Sequence, residues 1–431
     1  MLRPRMNALA PRRLESALPR CATLVFLLAL ALAVCSGSVS AGTPRPAPRA
    51  AGKSTVGQTL LAHKLSNALA SAGIPASRRG AIVVDLTSGQ TVFARNASGR
   101  LEPASNEKLA IAFSALTLLT PGYRIPTEAL GEGEQQGTVW VGDVYLKGYG
   151  DPELSTAGLR KIAFGLHAQG IRSISGDLIG DESFFDRRRM APGWKSSYLI
   201  NECAPLSALS VDRGRDTSAS PPLVALRVLA GELGSAGIRV DGQLRLGTTP
   251  DDASSLVTVR SRPLWKIVRF MDRVSDNYTA ELLLKQIGAS NGDRGTTADG
   301  AALVTATLDS VGVPLTGVRI VDGSGLSRLD RLTPAAVVGI LTDVWDDQTL
   351  HWSFVSSLAI AGRSGTLASR MQTKPALGNV RAKTGTTSAA SALSGYVRDR
   401  YAFAILQNGD PISSTRARAA QDRFVTLLAA Q

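Results

Sequence analysis

Three short polar motifs, far apart in the chain, constrain its fold more than any other feature: Ser105-Asn106-Glu107-Lys108, Ser275-Asp276-Asn277 and Lys383-Thr384-Gly385. Lys108 is the only one of ten lysines with a serine three residues before it. The apolar run that follows predicts a helix over 104–119, stopped by Thr120-Pro121-Gly122. On that helix Ser105 and Lys108 share a face one turn apart. Ser275-Asp276-Asn277 falls between two helical stretches, 263–273 and 278–287. Lys383-Thr384-Gly385 precedes an apolar hairpin, strands 392–398 and 401–407, which sets it on or at the rim of a strand. Taken singly, each motif is better read as something ordinary: a solvated first turn, a helix cap and a plain turn, respectively. The ordered trio, each member in a sensible context, outweighs those readings.

The residue types suit nucleophilic acyl transfer. A lysine at its ordinary pKa of about 10.4 is no base at neutral pH. Burial and a second cation, for which Lys383 is the candidate, both push that value down. A neutral Lys108 can then take the proton of Ser105 as the hydroxyl attacks. The helix start directs amide N–H groups toward the place where an oxyanion gathers charge. Ser275 is suited to carry a proton to the leaving amine. Asn277 can hold the substrate backbone and fix Lys108. Lys383 and Thr384 can bind a terminal carboxylate while a substrate peptide pairs with the strand edge, and Gly385 lets that backbone come close.

Other chemistries are poorly provided for. The three histidines, His63, His167 and His351, have no ligand spacing, and no G-x-S-x-G elbow occurs. The reading calls for no metal and no other cofactor. Cys21 and Cys35 lie in the leader described next, so Cys203 is left alone and no intramolecular disulfide can form.

Residues 1–41 read as an export signal: five arginines, an apolar run over 24–34, and Val39-Ser40-Ala41 as a small-residue cleavage site. The run is shorter than the roughly 20 residues of a membrane span. Residues 42–56 follow as a flexible Pro/Ala/Gly/Arg linker. The leader holds five Arg and one Glu, so a total charge of +13 leaves +9 on the remainder. In an exported chain without an aromatic-basic motif that charge does not indicate nucleic acid; it suits the anionic polymers of a bacterial wall, or solubility alone. The expected location is periplasmic or extracellular, associated with the cell wall.

At 431 residues the chain is long for a single compact unit. The texture changes over 125–261, where short alternating stretches, Gly-Asp turns and a helix over 159–169 predict an inserted, strand-rich domain. Residues 57–124 and 262–431 then make up the domain that carries all three motifs. Its first elements are a helix over 60–72 and a hairpin, 81–85 with 91–95; a helix over 414–429 ends it.

From about residue 57 onward the chain resembles the low-molecular-mass class C penicillin-binding proteins, the DD-carboxypeptidase/endopeptidase group. Besides the trio, the similarity is carried by Gly148-Tyr149-Gly150-Asp151-Pro152, Pro192-Gly193-Trp194, Asp322-Gly323-Ser324-Gly325-Leu326-Ser327-Arg328 and Ala361-Gly362-Arg363-Ser364-Gly365-Thr366-Leu367. The resemblance implies an α/β (α+β) fold: a β-lactamase/transpeptidase-like domain, with an antiparallel five-stranded sheet between helical layers, plus the insertion. It implies cleavage of D-Ala-D-Ala bonds, or of cross-links, in peptidoglycan stem peptides through an acyl-enzyme on Ser105, and acylation by β-lactam antibiotics. It also implies an oxyanion hole from the backbone N–H groups of Ser105 and Thr386. Two features depart from the pattern. The segment between Asp212 and Ser275 is short, and Lys195, Ser196 and Ser197 stand where several members carry an acid for the substrate's side chain; Glu202 is the available substitute. Two rivals remain: a silent wall-binding scaffold and a β-lactamase. For the latter, Glu281 is the only glutamate between Asn277 and Lys383, and it sits on the helix of Asn277 rather than in a separate loop.

Overall fold

The computed structural model describes residues 56–292 and 294–431. The leader expected over 1–41, and all of the 42–56 linker except Val56, lie outside the described residues. Val56 begins the first helix, α1 (Val56–Ala70), which leads into β1 (Arg79–Asp85), β2 (Thr91–Arg95) and α2 (Glu107–Leu119). The middle of the chain runs β3 (Pro126–Gln136), β4 (Val139–Gly148), α3 (Thr156–Ala168), β5 (Ser173–Ile174), β6 (Leu178–Asp181), α4 (Tyr198–Asn201), α5 (Pro221–Ser235), β7 (Arg239–Val240), β8 (Leu244–Leu246) and β9 (Ser254–Arg260). The last part holds α6 (Leu264–Val274), α7 (Asn277–Gly288), α8 (Thr297–Ser310), α9 (Pro334–Asp346), α10 (His351–Val355), β10 (Ala359–Ile360), β11 (Val380–Thr386), β12 (Ala390–Val397), β13 (Tyr401–Asn408) and α11 (Ser414–Ala429).

The first sheet has the order β10-β11-β12-β13-β1-β2 and is antiparallel throughout. The family resemblance implied five strands; the sixth is β10, a two-residue edge. Every residue of β12 is buried, and only the last of β13 is not, because helices cover both faces. Strand alternation sorts β13 accordingly. Phe403 and Ile405 pack with Leu65, Phe424 and Leu428 of α1 and α11. Ala402, Ala404 and Leu406 face the layer of α2, α6, α7, α8 and α9.

The second sheet has the order β7-β5-β4-β3-β9, with β6 pairing both β4 and β8. Its strands all come from 126–260, and its core draws only on residues 129–259. β3 pairs antiparallel with β4 and β9, and the other pairings are parallel. The helix expected over 159–169 is α3, and α5 is a second long helix in this segment. α3 and α5 cover the sheet, with Leu159, Ile162, Leu166, Leu226, Leu229 and Leu233 buried against it. The alternating pattern near the start of the segment folds as one long strand, β4.

Two elements aim the motifs. Leu264, Ile267, Val268 and Met271 recur at helical spacing on the buried face of α6. That helix ends at Ser275, which adopts the left-handed conformation with φ 62° and turns the chain sharply. Asp276 then caps α7, its carboxylate accepting from Thr279 N at 2.7 Å. Ser275 and Asn277 are therefore held between two helix ends rather than on a free loop.

Candidate active site

The nucleophile candidate, Ser105, lies in a 3-10 turn, Ala104–Asn106, that opens α2. Just before it, Ala104 takes φ 48°, a left-handed conformation that costs a non-glycine residue about 1 kcal/mol. The Asp322–Arg328 stretch holds it there: Gly325, itself at φ 78°, packs so closely that a Cβ would come 1.9 Å from the Ala104 carbonyl oxygen. Lys108, the second residue of α2, has no exposed surface.

Three oxygens surround the Lys108 amine: Ser105 Oγ at 3.0 Å, Asn277 Oδ1 at 2.8 Å and the Ser324 carbonyl at 2.6 Å. The last two can only accept hydrogen bonds. Asn277 is oriented by its own amide, which donates to the Glu202 carbonyl at 3.1 Å. A neutral amine would spend its hydrogens on these two acceptors and turn its lone pair to the Ser105 hydroxyl. Burial lowers the Lys108 pKa, against the pull of Asp322, Glu281, Asp276 and Asp272.

Lys383, also fully buried, donates to Ser275 Oγ at 2.8 Å and to the Thr384 carbonyl at 2.7 Å. Its pKa falls well below the usual lysine value through burial first and the charge of Lys108 second, with Asp272 opposing. The repulsion between the lysines anticipated from the sequence is thus present. Asp272 is raised to about 6, chiefly by burial.

The two clusters are stitched together. Asn106 Nδ2 donates to the Lys383 carbonyl at 3.1 Å, and a Cβ on Gly385 would stand 3.0 Å from Ser105 N. Glycine thus permits the close approach of β11 to the Ser105 backbone. Thr384 Oγ1 donates to Thr366 Oγ1 at 2.8 Å. Thr386 ends the strand, its hydroxyl donating to the Gly385 carbonyl at 2.8 Å and accepting from Arg418 Nη2 at 3.2 Å. β10 pairs with β11 only at Arg381 and Ala382, so the edge over 383–386 has no strand partner among the described residues.

Several contributors were not visible in the sequence. The Ser324 carbonyl is a backbone group, and no residue type announces it. Its loop is pinned by buried carboxylates. Glu281 accepts from Gly323 N and Ser324 N at 3.0 and 2.8 Å; Asp322 accepts from Gly325 N, Ser327 N and Trp194 Nε1 at 2.6, 2.7 and 2.8 Å. Glu281 is raised to about 8, mainly by burial and then by Asp322, and its bonds face the loop rather than the cleft. The Pro192-Gly193-Trp194 and Asp322–Arg328 stretches singled out in the sequence therefore act as one support. Arg213 braces the other side through an ion pair with Asp276. A cavity of about 550 Å³ adjoins Asn277, lined among others by Glu202, Cys203, Arg213 and Tyr278.

The chain is similar to several known proteins. The D-Ala-D-Ala carboxypeptidase 3 (S13) family profile matches residues 61–219 and 216–431. A D-alanyl-D-alanine carboxypeptidase of Actinomadura sp. (strain R39) is 32% identical over 440 aligned positions, covering 81% of each chain. The crystal structure of penicillin binding protein 4 (dacB) from Haemophilus influenzae superposes with a TM-score of 0.75 at 22% identity, over 87% of this chain and 98% of that one. A penicillin G-acylated predatory endopeptidase from Bdellovibrio bacteriovorus superposes at 0.52 and 18% identity, over 80% and 90%.

Proposed function

Because the chain belongs to the D-Ala-D-Ala carboxypeptidase 3 (S13) family, we propose that it is a serine-type D-Ala-D-Ala carboxypeptidase working through an acyl-enzyme on Ser105. The observation that carries this reading is the Lys108 amine, buried and held between two obligate acceptors with Ser105 Oγ as its third neighbour. Lys108 takes the hydroxyl proton as Ser105 Oγ attacks the carbonyl carbon of the penultimate D-Ala. The backbone N–H groups of Ser105 and Thr386 receive the oxyanion. The proton returns through Ser275 to the nitrogen of the departing D-Ala, the C–N bond breaks, and an ester remains on Ser105. Water then hydrolyses that ester, restoring the hydroxyl and releasing the shortened peptide as a carboxylic acid. Lys383 and Thr384 hold the terminal carboxylate, and the free edge of β11 pairs with the substrate backbone.

The substrate is a stem peptide of peptidoglycan, and a β-lactam acylates the same serine. The enzyme is exported by its 1–41 leader and acts in the periplasm or at the wall. Residues 57–124 and 262–431 serve as its catalytic domain and 125–261 as the insertion, consistent with separate sheets and cores for the two parts.

A β-lactamase reading asks for a carboxylate positioned to activate the deacylating water. Glu281 is committed to the Gly323 and Ser324 amides instead, which favours slow release of penicillin. The test of turnover is release of free D-alanine from an N-acylated peptide ending in D-Ala-D-Ala. Stoichiometric excess of D-alanine over enzyme is expected; acylation without turnover would favour the silent scaffold.

A further inference from the structure

An arginine stands two residues before each of the two catalytic-cleft motifs that meet at Lys383: Arg273 before Ser275, and Arg381 before Lys383. Arg269, one turn earlier on α6, lies on the Arg273 face. Strand alternation puts Arg381 on the Lys383 face of β11, since Val380 and Ala382 pack the other way, toward α1 and α11. Its cross-strand neighbour Tyr396 belongs to the layer that contains α6.

The three guanidinium groups are uncompensated. None makes an ion pair among the described residues. Arg273 Nη2 donates to the Ser356 carbonyl at 3.1 Å, while its Nε is buried without a partner. The neighbouring Asp272 turns inward, accepting from Ser357 Oγ at 2.6 Å. Burial, and then the charges of Arg269 and Arg381, hold Arg273 below the usual arginine pKa. Gathered like charges of this kind are relieved by an anion, and the planar fork of arginine matches a carboxylate.

β11 gives the group a direction. Running back along the strand from Thr386 to Thr384 and Lys383 leads from the scissile carbonyl to the terminal carboxylate, and the next residue on the Lys383 face is Arg381. At roughly 3.4 Å per residue, Arg381 lies about 7 Å beyond Lys383, on the leaving-group side. We propose that Arg269, Arg273 and Arg381 form a subsite for a second carboxylate carried by the leaving group. The subsite rests on the carboxypeptidase reading above and deepens it: between two substrates with the same acyl part, the one whose leaving group carries an acid beyond its own terminal carboxylate is preferred.

The test uses two substrates with one acyl part. The first releases D-alanine; the second releases a D-amino acid whose side chain bears another carboxylate about 7 to 10 Å from the terminal one. The wild-type protein is expected to favour the second in kcat/KM, and the double variant Arg269→Gln/Arg381→Gln to erase that preference by roughly tenfold, mainly through KM. Raised salt should shrink the same preference. The rate of acylation by benzylpenicillin reports whether the variant keeps its fold. Equal wild-type rates on the two substrates, or equal losses on both in the variant, would overturn the subsite alone. A wild-type protein that cleaves neither would overturn the reaction, and the subsite with it.

Discussion

Replacing Lys108 by alanine is expected to slow acylation of Ser105 by roughly 10³-fold or more, the scale of losing a positioned general base. The loss should appear equally with benzylpenicillin and with a peptide, because the base acts before the two acyl groups differ. The substitution leaves Asn277 Oδ1 and the Ser324 carbonyl without their donor, a cost of about 1–3 kcal/mol that a protein of this size survives. A thermal melt would separate that cost from the loss of chemistry. In the wild-type protein the acylation rate should rise with pH as Lys108 gives up its proton. It should level off below the lysine pKa of about 10.4, since burial moves Lys108 downward. A Lys108→Ala protein that acylates within a few-fold of wild type would remove this residue from the mechanism.

The second large effect is expected at Lys383. Buried, and facing another lysine, it is held well below the ordinary value in the free enzyme. A carboxylate arriving at Thr384 favours its charged form, so binding should bring a proton onto the amine. Lys383→Ala should therefore weaken peptides with a free terminal carboxylate by about 10²-fold or more, while neutral thioesters that lack the carboxylate lose far less. In the wild-type protein, KM for the carboxylate-bearing peptide should climb with pH, because proton uptake grows harder. Equal losses on the two kinds of substrate would mean that Lys383 does not bind the carboxylate.

Much of the arrangement was legible in the sequence for definite physical reasons. α6 shows four apolar residues at helical spacing, and α7 opens with the capping residue Asp276. β13 opens with an apolar run over 401–406, and β12 adds only small polar residues, Ser391 and Ser394, to its apolar ones, because both faces are covered. α9 was harder to read. Val337, Val338 and Ile340 around Gly339 look like a buried strand, although Thr333 as cap and Pro334 in the first turn mark a helix. α8 is rich in threonine and holds Gly300, where a Cβ would come 2.1 Å from the Leu284 carbonyl oxygen; it follows from packing on α7 rather than from local preference.

The same division runs through the site. Ser105, Lys108, Ser275, Asn277 and Lys383 are chemically conspicuous and fall together. The Ser324 carbonyl, the strained Ala104 and the inward carboxylates of Glu281 and Asp322 are not conspicuous. Their roles depend on where the Asp322–Arg328 backbone passes, which residue identity alone does not specify. Glu281 makes the point: weighed from the sequence as a possible lactamase base, it serves as a clamp on two amides.

The central claim is a covalent bond to Ser105. The most direct measurement is the intact mass of the mature protein after incubation with benzylpenicillin, beside that of Ser105→Ala. A persistent adduct of one benzylpenicillin is expected on the wild-type protein and none on the variant. An adduct that survives in Ser105→Ala, or a wild-type protein that never gains one, would contradict that claim.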